Sequence, residues 1–195
     1  MNGKIRRVVT GHDANGKAVV LEDRLAPNVR TNPLRPGHIS VELWKTKSMP
    51  VPVSSAEPDP TEGPKVQIPG PNGTVFRISE IAPETEAIRT IDAAQAKEVF
   101  KAMGNESGST FGDNKRHPFM HRTKTLDYAV VLEGEVTMLL DDSEVHLKQG
   151  DVVIQRGTNH AWSNRSDKPV KMLYVLIDGE FDEELKSKLG TEGSH

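Results

Sequence analysis

Between Pro118 and Ile177 the chain has no stretch long enough for a helix. Short apolar-alternating segments follow one another at Met120–Thr125, Tyr128–Leu132, Glu135–Leu140, Glu144–Leu147, Asp151–Gln155, His160–Asn164 and Val170–Ile177. Turn-forming residues separate them: Glu133-Gly134, Asp141-Asp142-Ser143, Gln149-Gly150, Arg156-Gly157 and Asn164–Lys168. Many short strands with regular turn signals bury a core only by closing on themselves, as an antiparallel sandwich or barrel. The fold class expected is therefore all-β.

The remainder of the chain reads as appendages to that core. Residues 1–85 hold eleven of the thirteen prolines and form an N-terminal extension. It opens with a hairpin, Ile5–Thr10 and Lys17–Leu21 around Asn15-Gly16, a pair that tolerates positive φ. His38–Trp44 and Thr74–Ser79 are further strand candidates. Between them, seven prolines from Met49 to Gly73 remove amide donors and forbid helix or central strand, leaving a wrapping loop or linker. Residues 86–116 hold a helix, Ile91–Met103, capped by Thr90 or Asp92 and closed by Gly104, then a Gly/Ser loop from Asn105 to Lys115. Residues 117–178 are the barrel core, and 179–195 carry a short helix, Asp182–Leu189, and a tail.

The chain has no cysteine, which excludes disulfides, thiolate metal sites and cysteine nucleophiles. A net charge of −3 from 25 basic and 28 acidic residues offers no field for nucleic acid. No apolar run spans a bilayer, and no signal segment follows the first charges, so a cytoplasmic protein without membrane partners is expected. A hairpin remote from the barrel can add to a partner's sheet edge, so a homodimer is expected as well.

Strand parity collects the residues that carry chemistry. His121, Thr123, Thr125 and Asp127 share a face if one strand runs through them, and so do His160, Trp162 and Asn164. If both faces point inward, two imidazoles and a carboxylate converge, a donor set that leaves positions open on Fe, Mn, Ni or Zn. The plain alternative is a pair of neutral core histidines donating to carbonyls. Asp127 is either a ligand or a hydrogen-bonded strand-turn residue, since a buried carboxylate without a partner is costly. Met138, Leu140, Val152, Ile154, Met172 and Leu176 are candidate lining.

At these residues the sequence resembles the cupin family. That family's first motif sets two histidines and a glutamate ahead of a glycine. Its second sets a glycine, a Pro-x-Gly turn, a histidine and an asparagine. In His121-Arg122-Thr123-Lys124-Thr125-Leu126-Asp127, His121 matches the first histidine and Asp127 the acidic ligand, with six residues between it and Gly134. Gly150, Gly157, His160 and Asn164 match the second motif, with fifteen residues between Gly134 and Gly150. Thr123 stands in place of the second histidine, Asp127 is one methylene shorter than glutamate, and the turn proline is missing. His117, of the same parity, is the one candidate to replace the lost histidine, although Pro118 interrupts the strand.

The resemblance implies an antiparallel jelly roll (a double-stranded β-helix barrel) with an N-terminal hairpin extension and one or two short helices. It also implies one divalent transition metal (Fe, Mn, Ni or Zn) on His121, Asp127 and His160, with Asp127 and Thr123 in proton transfer. The expected substrate is a small organic acid or aromatic compound, in a pocket lined by Thr125, Met138, Leu140, Ile154, Trp162 and Met172. Lyase or decarboxylase, isomerase and dioxygenase chemistry are all open. The alternative is a metal-free cupin that binds a small ligand without catalysis.

Overall fold

The computed structural model describes residues 3–55, 57–63, 66–112 and 115–190, and the side chain of residue 106 is not described. Eleven strands carry the fold: β1 Arg6–His12, β2 Ala18–Leu25, β3 Val29–Thr31, β4 Ile39–Thr46, β5 Thr74–Ile81, β6 Thr125–Glu133, β7 Glu135–Leu139, β8 Glu144–Lys148, β9 Val152–Arg156, β10 Ala161–Ser163 and β11 Val170–Asp178. Among the described residues three α-helices accompany them, α1 Glu86–Arg89, α2 Ala93–Ala102 and α3 Glu183–Leu189, with a short 3-10 helix at Glu106–Gly108.

All the pairings are antiparallel. A six-stranded sheet runs β3-β4-β5-β11-β6-β9, a three-stranded sheet runs β10-β7-β8, and β1-β2 stand apart as a hairpin. The two larger sheets enclose one apolar core. Val75 and Ile81 from β5, Ala129 and Val131 from β6, and Met172 and Leu176 from β11 meet Val136, Met138, Leu147 and Trp162 from the smaller sheet. This is the expected all-β jelly roll. Its sheet reaches further along the chain than residues 117–178, because β5 pairs with β11 over eight residues and β4 pairs with β5. The extension is thus part of the barrel wall.

The hairpin turns on Asp13, whose carboxylate accepts from the amides of Asn15 and Lys17, with Gly16 at φ 76°. Buried Arg7 ties it to the body, reaching Glu22, Asp59 and the Leu43 carbonyl. In α2, Asp92 accepts from the Gln95 amide and Gln95 accepts in return, a reciprocal cap. Two elements differ from the sequence reading. α1, capped by Thr85, lies ahead of the one helix expected in residues 86–116. Met120–Thr125 is not a strand: only His121 bridges its neighbours, and β6 begins at Thr125. The cause lies upstream, where the Met120 amide donates to the His117 carbonyl across Pro118 and turns the chain. The Asp113–Asn114 part of the Gly/Ser loop and the tail from 191 lie outside the described residues.

Asn164 holds the N-terminal strands to the β10–β11 connection. It is fully buried. Its amide donates to the carbonyls of Ile81 and Lys168, both at 2.8 Å, while its oxygen accepts from the amide and hydroxyl of Ser166. Removing the side chain strands these buried groups, so Asn164→Ala is expected to cost about 2–4 kcal/mol in urea unfolding. A loss below about 1 kcal/mol would show that the staple is dispensable.

Candidate functional site

Two histidines form the centre of the site. His121 and His160 face each other as a two-residue antiparallel bridge, each amide donating to the other's carbonyl at 2.9 Å. Side chains opposite each other across such a bridge point the same way, and the ring centroids are 4.3 Å apart. Nδ1 of His121 lies 3.0 Å from the Phe119 carbonyl, and Nδ1 of His160 lies 3.0 Å from the Thr158 carbonyl. A carbonyl only accepts, so each Nδ1 carries the hydrogen and each Nε2 keeps its lone pair. Among the described residues no hydrogen bond occupies either Nε2. The Gln155 carboxamide nitrogen also stands 3.1 Å from His160 Nδ1. That contact competes with the shorter carbonyl bond, and a protonated Nδ1 cannot accept it.

The rings line a cavity of about 60 Å³, several times the ~10–15 Å³ one water needs. Phe100 of α2, Met103 at its C-cap, Phe119, Trp162 and Leu176 give its apolar walls. Arg35, Arg77, Asp127, Thr123 and Tyr174 give its polar ones. Burial, His160 and then the fields of Arg35 and Arg77 hold His121 well below the ordinary imidazole range, against the Phe119 bond. Burial, joined by Arg77, takes His160 down to about 4, against the Thr158 bond. Both rings are neutral bases at neutral pH. Burial pushes the Asp127 carboxyl up, opposed by the Thr125 hydroxyl and by Arg77, and its Oδ1 is buried without a partner. Burial also raises Tyr174, which therefore keeps its hydroxyl proton.

The expected residues divide sharply. His121, Thr123, Asp127, His160 and Trp162 all reach the cavity. The three-donor centre is not assembled: among the described residues, no group of three His, Cys, Asp or Glu is placed to hold an ion. Two guanidinium groups share the same walls, and positive charge there makes a divalent cation costlier still. The side chains present do not fit the His121–Asp127–His160 metal site. Nor does His117 replace the lost histidine. Its Nε2 donates to Glu84 at 2.9 Å and its Nδ1 accepts from the Phe119 amide, so both nitrogens are occupied.

Most of the expected apolar lining lies elsewhere. Met138 and Met172 are core, with Leu140 packed against it. Thr125 is buried with its hydroxyl against Thr123 at 2.8 Å. Ile154 points outward, 54% exposed, and pairs with the exposed Tyr128, because β9 is the sheet's edge and only alternate residues face in. Sequence reading missed Arg35 and Arg77. Arg77 shares the inward parity of Val75, Ser79 and Ile81 in β5, which is a signal: a cation on a core-facing row. Arg35 lies in a proline-flanked loop with no periodicity to place it.

Titration of His160 links the site to stability. The unfolded chain takes up this proton near the ordinary 6.5, whereas the fold resists it until about 4. Stability is therefore full above pH 6.5 and falls as the pH drops toward 4, by up to about 1.4 kcal/mol per unit. Asp127, shifted upward, acts in the opposite sense. Melting temperature is expected to drop between pH 6.5 and 4, with a shallower slope in His160→Gln; an unchanged slope would contradict burial of a neutral ring.

Residues 111–176 match the family described as "Cupin domain". The chain is 30% identical over 183 residues to the phomopsin biosynthesis cluster protein C' of Diaporthe leptostromiformis, covering 89% of this chain and 78% of that one. It is 30% identical over 180 residues to the cupin-domain-containing oxidoreductase fogC of Aspergillus ruber, covering 90% and 73%. Among solved structures, the Cnp3 cupin domain of Schizosaccharomyces pombe aligns over 96% of this chain and 95% of its own, at 11% identity and a TM-score of 0.44, too distant to argue from. Similarity to the two relatives covers far more of the chain than the motif region, and on that evidence the chain belongs to the cupin family.

Proposed function

We propose that this cupin is an enzyme of acid–base type that moves a proton on a small organic acid or aromatic compound held in the cavity. One observation carries the reading: two neutral imidazoles with free Nε2 lone pairs line one cavity. A base works best when it is unprotonated at working pH and within reach of the proton it takes. In this reading Nε2 of His160 or His121 takes a proton from carbon or hydroxyl next to a carbonyl. The charge then grows on oxygen, where the Tyr174 hydroxyl, whose proton burial retains, donates. Thr123, bonded to Thr125, is a polar contact for a substrate oxygen. Relatives named as oxidoreductases support a catalytic rather than a purely structural role.

The test is solvent deuterium incorporation, followed by NMR, into a panel of 2-oxo acids and hydroxylated aromatic acids. The wild type is expected to catalyse exchange on at least one, and His160→Gln to lower the rate by about 100-fold or more. No exchange anywhere, or an undiminished variant, would contradict the reading. Ligand binding without exchange would favour the non-catalytic alternative, to which the absent third donor also points. Elemental analysis separates the metal-dependent version: metal well below one per chain is expected, and a stoichiometric ion lost in His160→Ala would restore it.

A homodimer is part of the same proposal. Tyr128, Val152 and Ile154 leave apolar side chains exposed at the β9 edge. No helix among the described residues is long and apolar enough to cross a membrane.

A further inference from the structure

The cavity carries an unbalanced positive charge, and the chain provides its own control for what balance looks like. Arg7, buried in the hairpin, sits against Glu22 and Asp59, and those carboxylates raise its pKa. Arg35 and Arg77 have no such partner. Arg77 donates to the Gln67 carbonyl at 3.1 Å and lies 5.5 Å from the Tyr174 ring centre. It forms no ion pair with any described residue. Arg35 stacks on Phe119 at 4.3 Å, and among the described residues it makes neither an ion pair nor a hydrogen bond. Burial lowers both, Arg35 to about 10. Among the described residues the one acid on the cavity wall is Asp127, whose own ionisation burial opposes. Glu84 lies on a smaller adjoining recess and is engaged by His117 and Arg89, and Glu42, the register partner of Arg77 on β4, favours the Arg77 charge from off the cavity wall while it faces Lys45 at 3.8 Å.

Enclosed guanidinium groups are stable when an anion meets their donors, and their planar fork suits a carboxylate. Two of them on one cavity, with one acid whose ionisation burial opposes, leave a place for a negative ligand. We propose that Arg35 and Arg77 together bind the carboxylate of the substrate, with its carbon frame against Phe100, Phe119 and Trp162 and its reacting atom beside His121 and His160. This deepens the acid–base reading and rests on it for the role of the histidines. It also gives the N-terminal extension a function, since both arginines lie outside residues 111–176.

Calorimetric titration of the full chain with benzoate and with benzamide tests the proposal, because the two share shape and differ in charge. Benzoate is expected to bind at least about tenfold more tightly, with an advantage that shrinks as salt rises. Arg35→Met is expected to remove that advantage while leaving benzamide affinity unchanged, and Arg35→Lys to retain part of it. Arg35 lies in a loop, so this variant stays informative even if Arg77→Met on β5 fails to fold. Equal affinity for the two compounds, or full benzoate affinity in Arg35→Met, would overturn the proposal. Inorganic phosphate competing as well as benzoate would overturn the assignment to carboxylates. A failed deuterium-exchange assay leaves the benzoate–benzamide difference intact, so the two readings fail separately.

Discussion

The site depends on one backbone contact, the mutual pair of hydrogen bonds between His121 and His160. Residues thirty-nine apart in sequence become directly opposed, and two imidazoles are forced to share one wall of the barrel. Each ring is then fixed by a local carbonyl two residues before it, so its orientation is set by its own strand entry. The same geometry that buries the rings keeps them uncharged. Two charged imidazoles with centres 4.3 Å apart, beside two guanidinium groups, would repel strongly in a medium with little water.

That electrostatic setting also explains why the carboxylate at the acidic motif position does not complete an ion site. Asp127 is shorter than glutamate and is paired in register with Gln155 on β9 and Leu176 on β11. It reaches the cavity from the sheet, whereas the histidines come from the bridge beside β10. Its nearby positive charge is Arg77, which favours its ionised form against burial. Thr123, at the position of the missing histidine, spends its hydroxyl on Thr125. The chain thus keeps the barrel and the histidine pair of its family, while the rest of the cavity chemistry comes from arginines and a tyrosine.

Much of this was legible in the sequence, for identifiable reasons. The barrel strands could be read because Gly134, Gly150 and Gly157 adopt positive φ at turns between alternating segments. Helix α2 could be read because Asp92 and Gln95 sit three apart ahead of an apolar face. His121 and His160 were found through motif spacing. The strand assigned to Met120–Thr125 failed because parity assumes an unbroken extended chain, and the turn at His117–Met120 breaks it. The apolar lining was misplaced because inward parity marks the core and the cavity alike, and Met138 and Met172 fill the former. Arg35 had no local signature at all. Only the folded chain carries it across to Phe119, more than eighty residues away in sequence.

The central claim is a protonation pattern: each of the two rings neutral, hydrogen on Nδ1, lone pair on Nε2 toward the cavity. Long-range proton–nitrogen correlation spectroscopy of the imidazoles in uniformly labelled protein at pH 7 reads this directly. The account predicts one protonated and one unprotonated nitrogen in both His121 and His160, with Nε2 the unprotonated one. Hydrogen on Nε2 of both rings, or two protonated nitrogens in either, would contradict it.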